Sequence, residues 1–137
     1  MSVARGALWA ATLSGVPSTV WALAKGRDPL EAALAAGAML VGEHASKPKR
    51  LAAAVPVHLA ISLGWTVVLD RTLPRRHRVL TGAAAGLAIA ALDLGVVGRR
   101  IPAIAALPLG PQIADHVAFG ALAAATSAPC AARRRAG

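Results

Sequence analysis

The chain has no tyrosine, a single phenylalanine and a single cysteine, and only six acidic side chains in 137 residues. Each shortage excludes something. A soluble core of this size is normally filled to close-packed density by Phe, Tyr and Ile, so a chain that is 3% aromatic must pack by another route. Cys130 alone can form no intrachain disulfide and no cysteine-based metal centre. The 15 Lys and Arg residues have no aromatic side chains interleaved with them to stack on bases, which excludes nucleic acid as the expected partner. HExxH, a Gly-rich phosphate loop and a nucleophile elbow are all missing, so no enzyme class is signalled.

What is present is alanine, leucine, valine and glycine, giving a hydrophobic fraction of 56% and a mean hydropathy of +0.58. The charges are clustered rather than spread. Residues 6–24 contain none, 51–69 only His58, 79–98 only Asp93, and 113–132 only Asp115 and His116. Each run has the roughly 20 residues that a helix needs to cross a bilayer, and alanine and glycine suit close helix packing in lipid. These features predict an all-α fold: an integral membrane four-helix bundle in a single transmembrane domain over residues 1–137, with spans at about 6–24, 51–69, 79–98 and 113–132. Alanine is nearly neutral for insertion, which keeps a soluble alanine-rich bundle as the alternative. Arg5, the apolar stretch and Ala22-Leu23-Ala24 resemble a signal peptide, but Ser14, Gly15, Pro17, Ser18 and Thr19 make that stretch too polar, and retention is expected.

Between the runs the layout recurs. The first span is followed by Arg27, Asp28 and Pro29, a short apolar segment and the second span; the third is followed by Arg99, Arg100 and Pro102, another short segment and the fourth. The order of span, basic residue, proline, short segment and span gives a two-fold internal repeat of the kind seen in transport folds. The short segments, at about 29–42 and 102–110, are expected to lie at the interface or re-enter, because neither is long enough to cross. Asp28 and Pro29 suit the cap and first turn of the first one, and a fifth span there is the alternative.

With four spans, both termini share a side with the 70–78 loop. That loop carries Arg71, Arg75, Arg76 and Arg78, and the tail adds Arg133, Arg134 and Arg135, so this side is expected to be the cytoplasm of a bacterial inner membrane. Trp9 and Trp21, about 18 Å apart along a helix, serve as interfacial anchors.

On this topology His58, Asp93, Asp115 and His116 all fall in the outer half of the bilayer, beside the proline-broken polar stretch that holds Ser18 and Thr19. Ionisable groups are costly in hydrocarbon and usually mark a site facing the bundle interior. Asp93, His58, His116, Asp115, Ser18 and Thr19 therefore form the candidate substrate-binding set. Pro17 removes one backbone hydrogen bond and frees a carbonyl near Leu13. Carboxylate and imidazole together suit proton-linked binding or movement of a small solute or cation. A second chemistry has His58 and His116 as ligands of a metal or haem iron in an enzyme or redox subunit, although no cofactor is firmly implied. A third is an accessory or assembly subunit whose polar groups only lock helices together. Each residue also has a plain structural reading: His58 donating to a carbonyl, Asp115 as an acid in the first turn of its own helix, Asp93 paired with Arg99 or Arg100, and Gly82 with Gly86 as a GxxxG packing face. Four short helices enclose little volume, so a homo-oligomer or a larger membrane complex is expected.

The motif Asp115-His116-Val117-Ala118-Phe119-Gly120 in a final span, together with a histidine-bearing second span, resembles small four-helix bacterial inner-membrane proteins of the YagU-like group. The resemblance implies the fold and the location and supplies no activity.

Overall fold

The computed structural model describes residues 3–126, and among these every regular element is a helix. Cys130, Arg133, Arg134, Arg135 and the last residues expected of the fourth span lie outside the described residues.

The first apolar run is two helices, α1 (Val3–Leu13) and α2 (Val16–Ala24), separated by Ser14 and Gly15. Pro17 explains the division. It has no N–H to donate back to Leu13, and it sits in the first turn of α2, where that donor would be unused anyway. α2 stops at Gly26, whose φ of 65° lets the Arg27 N–H reach the Ala22 carbonyl at 2.8 Å while Gly26 bonds Leu23 at 3.2 Å.

The first short segment is the 11-residue helix α3 (Glu31–Val41). Asp28 does not cap it directly. Its carboxylate accepts from the Leu30 N–H at 2.9 Å and holds the turn ahead of the helix, and a second oxygen takes Lys47 at 2.7 Å. α4 (Lys47–Thr72) runs 26 residues through Pro56 and ends where Pro74 disfavours helix at Leu73. α3 lies tightly on the start of α4: a side chain at Gly37 would overlap the Arg50 backbone, and Arg50 Nε donates to the Leu34 carbonyl at 3.0 Å.

α5 (Arg78–Leu92) widens into a π-helical turn, Asp93–Val97, and closes with a 3-10 turn, Gly98–Arg100. Within the second short segment, expected at about 102–110, the helix is only the four-residue α6 (Pro102–Ala105), whose Ala103 N–H donates to Glu43 at 2.6 Å. α7 (Leu109–Thr126) starts earlier than the charge pattern suggests, because Gly110, Pro111 and Gln112 join its first turn instead of forming a connector.

Three helical stretches are long and apolar enough to cross a membrane: Val3–Ala24, Lys47–Thr72 and Arg78–Arg100. α7, with 18 described residues, is not among them, since Gln112, Asp115 and His116 lower its hydropathy.

α7 is the hub. It packs on α5, α1, α2 and α4, while α4 also packs on α1 and α3. Its contact with α5 is backbone on backbone: a Cβ at Gly82 or Gly86 would collide with the carbonyls of Gly120 and His116, and one at Gly120 would collide with the Gly82 carbonyl. The expected GxxxG face is thus a packing face whose third glycine comes from the partner helix. Small residues fill the interior, with Ala10, Ala22, Ala35, Ala123 and Ala124 almost fully buried, whereas Leu23, Leu40, Leu80 and Leu109 stand outward. Large side chains concentrate in one inner cluster, where Leu69, Ile89 and Phe119 meet Ala10 and Ala123.

Candidate functional site

The interruption between α1 and α2 leaves backbone groups without helical partners, and side chains from two other helices reach them. His58 of α4 brings Nε2 to 2.8 Å from the Ala11 carbonyl, near the end of α1, and donates to it as the Nε2–H tautomer. Asp115 of α7 accepts from the Ser18 N–H at 2.9 Å, within the first turn of α2. That N–H is one of the orphan donors of a helix start, and a carboxylate there also meets the positive end of the helix dipole. The bond is therefore charge-assisted, a class that contributes about 1.5–3 kcal/mol. Asp115 was expected to serve the first turn of its own helix. Since α7 begins at Leu109, Asp115 lies well past that turn and caps α2 from outside.

His116, the next residue, points elsewhere, because successive side chains on a helix diverge by about 100°. Its Nδ1 lies 2.7 Å from the Gln112 carbonyl one turn back, and its Nε2 lies 3.5 Å from Asp93 Oδ2, an ion pair when the ring is protonated. Asp93 opens the π-helical turn at the end of α5, and both side chains of the pair are about one quarter exposed. The partner of Asp93 is thus His116, not Arg99 or Arg100. The glycine contact is what brings them together: Gly86, about two turns before Asp93, lies against the backbone of His116 itself, so α5 and α7 approach closely at the helix position that carries the imidazole.

The six expected residues are gathered at one end of the bundle, though not into one cluster. His58 and Asp115 address the two sides of the α1–α2 interruption, and Asp93 and His116 pair on the other side of α7. Asp93 and His58, both members of the candidate set, share no hydrogen bond or ion pair. Ser18 takes part through its N–H and its hydroxyl, which donates to the Gly15 carbonyl at 3.2 Å. Thr19 is half-buried next to it and continues α2, its N–H donating to the Gly15 carbonyl at 3.1 Å.

Haem or metal ligation fits poorly. Both ring nitrogens of His116 are engaged with protein atoms. Among the described residues no group of three or more His, Cys, Asp or Glu side chains is arranged to hold a metal ion.

Two features escape sequence reading. An apolar hollow of about 530 Å³ between α5 and the α6–α7 region is lined by Leu87, Leu94, Ile104 and Ile113, with Arg99 and the buried Gln112 on its wall. At the opposite end, Arg78 is only 11% exposed; it reaches Asp70 at 2.7 Å and the Ala124 carbonyl at 3.2 Å, joining α4, α5 and α7. The sequence assigns Arg78 to a solvated loop, and nothing local marks it as a partner for a residue far along the chain.

No family model, curated protein or solved structure matches the chain.

Proposed function

We propose that the chain is a four-span bacterial inner-membrane protein, with both termini cytoplasmic, that binds or moves a small solute or cation in a proton-linked manner. The observation that carries this reading is the Asp93–His116 pair, 3.5 Å apart and partly sheltered between two apolar helices. A carboxylate and an imidazole in such surroundings exchange a proton at little structural cost, and paired ionisable groups within apolar helices usually mark a transport path. The π-helical turn at Asp93 supports the reading, because such turns frequently occur at functional sites. Apolar side chains on the outside and alanine and glycine within support lipid as the solvent and α7 as a fourth span. The arginines of the 70–78 loop support the orientation. A homo-oligomer or larger complex would add the enclosed volume that these short helices lack.

The second reading, an accessory or assembly subunit, is favoured by one observation: His58 and Asp115 are already used to satisfy the α1–α2 interruption. Purified protein in liposomes separates the two. An imposed pH gradient, with sodium or potassium as the probe cation and a trapped pH dye, should collapse faster than in empty liposomes. Asp93→Asn should slow that collapse by about tenfold, the factor that corresponds to losing one modest interaction, while its melting temperature stays near that of the parent. Collapse no faster than in empty liposomes would reject the proton-linked reading in favour of the accessory one.

A further inference from the structure

Along α4, His58, Ser62, Thr66 and Asp70 follow one another at every fourth position. Side chains four apart on a helix lie on one face with Cβ atoms about 5–6 Å apart. In its middle that face is the inner one: Ser62 and Thr66 are buried, His58 at one end is exposed and Asp70 at the other half-buried, while Val55, Leu59, Ile61, Leu63 and Val68 on the remaining faces are exposed. A helix of apolar composition has turned two hydroxyls, Ser62 and Thr66, inward and most of its large apolar side chains outward.

Several other threonines of these helices bond locally to the preceding turn. Thr12 donates to the Leu8 carbonyl at 3.0 Å and Thr72 to the Val68 carbonyl at 2.8 Å. Thr66 does neither. It is 0% exposed, and its Oγ1 is a buried polar atom with no hydrogen-bond partner among the described residues. A buried hydroxyl without a partner is unfavourable, and an internal water is the common remedy. The spacing suits water, since two O–H···O bonds of about 2.8 Å meeting at one molecule span the gap between side chains four apart. One water in each gap turns the four side chains into a continuous hydrogen-bonded file, about 18 Å long over twelve residues.

The ends of the file are the two polar ends of the bundle. His58 lies at the α1–α2 interruption, with Asp115 on its other side. Asp70 is paired with Arg78, and its side chain is 30% exposed beside the turn that carries Arg75, Arg76 and His77. Of the helices packed on α4, α1 buries only small residues, Gly6, Ala7, Ala10 and Ala11, and α7 buries Gly120 and Ala123 beside Phe119, which clusters with Leu69 near the Asp70 end. Asp115 from α7 and Arg78 from α5 are the charged groups that flank it, one at each end.

We propose that this stripe is a proton path across the protein, carrying protons between the His58 imidazole and the Asp70 carboxylate through the hydroxyls of Ser62 and Thr66 and single intervening waters. Each hydroxyl accepts a proton from one side and releases its own to the other, so none is consumed, and Asp70 exchanges with water at the loop. The path deepens the proton-linked reading given above and rests on it.

Proton flux into liposomes under a potassium diffusion potential, read with a trapped pH dye, tests it with the full chain. Thr66→Val keeps the volume and removes the hydroxyl; it should lower the flux about tenfold, and Thr66→Ser should restore it. Because Thr66→Val removes an unpartnered hydroxyl, its melting temperature should equal or exceed that of the parent, which separates lost conduction from lost folding. Parent flux that Thr66→Val leaves unchanged, with Asp93→Asn still impaired, overturns the path and keeps the proton-linked reading. A parent with no flux overturns both.

Discussion

The two halves of the chain solve the same problem with different chemistry. In each, a long apolar stretch is irregular at one place, and the histidine of the following long helix bonds to that place. In the first half the irregularity is a break with Pro17 just beyond it, and His58 donates to the Ala11 carbonyl that the break leaves without a helical partner. In the second it is a π-helical turn, and His116 meets the Asp93 side chain that opens it. The first contact joins a ring to backbone, and the second joins two ionisable side chains. A backbone carbonyl can only accept, whereas a carboxylate can take up and release a proton. The repeated layout therefore fixes one histidine to an acceptor that never ionises and the other to one that does. Asp115, from the second half, completes the first half by capping α2.

The comparison can be broken most directly at the contact that holds the second half together. Gly120→Leu forces side-chain atoms into the Gly82 backbone; the cost should be about 3 kcal/mol or more, seen as loss of the folded peak in detergent gel filtration. The analogous change at Gly15, where a Cβ meets nothing within 4 Å, should leave that peak in place when the residue introduced is alanine. Next in size is the bond between halves. Asp115→Ala should lower stability by about 2 kcal/mol by stranding the Ser18 N–H, measured as a drop in melting temperature, and Asp115→Asn, which still offers an acceptor, should lose less. A melting temperature unchanged by Asp115→Ala would show that the halves are not joined there.

The sharpest test of the asymmetry is a pair of double-mutant cycles. Asp93→Ala combined with His116→Ala should show a coupling energy of about 1 kcal/mol, while Asp93→Ala with His58→Ala should be additive. Coupling in the second cycle would merge the two polar pairs into one site. The smallest effect concerns the first half alone. The Lys47 ammonium beside Asp28, helped by the Leu30 N–H, holds the Asp28 carboxyl below its usual value of 3.8. A folded-state value below the unfolded one contributes stability at higher pH that is lost as pH falls through it, so the melting temperature should decline slightly more steeply below about pH 4 in the parent than in Asp28→Asn.

Much of this architecture was legible because hydropathy and helix geometry leave plain marks in sequence. Charge-free runs located the long helices, Pro17 announced the interruption of the first, and Gly82 with Gly86 announced a close approach. What stayed hidden depends on distant chain segments. Nothing around Asp93 signals a π-helical turn, and its local arginines were the natural guess for a partner because the meeting with His116 exists only once α5 and α7 are in register. Asp115 read as a first-turn acid because Gly110 and Pro111 looked like a connector, although proline at a helix start is unremarkable. Arg78 read as loop because its acceptors, Asp70 and the Ala124 carbonyl, come from two other helices.

The hub position of α7 also has a consequence for how the protein is made. Ser18, Asp93 and Arg78 all emerge from the ribosome before the groups that complete them, which are Asp115, His116 and the Ala124 carbonyl. Until α7 arrives, the nascent chain holds an uncapped α2, a lone carboxylate and an arginine that lacks one of its acceptors. Biogenesis must therefore pass through a state in which α1 to α6 are made yet incompletely paired, and α7 acts as the step that commits the earlier helices to their places.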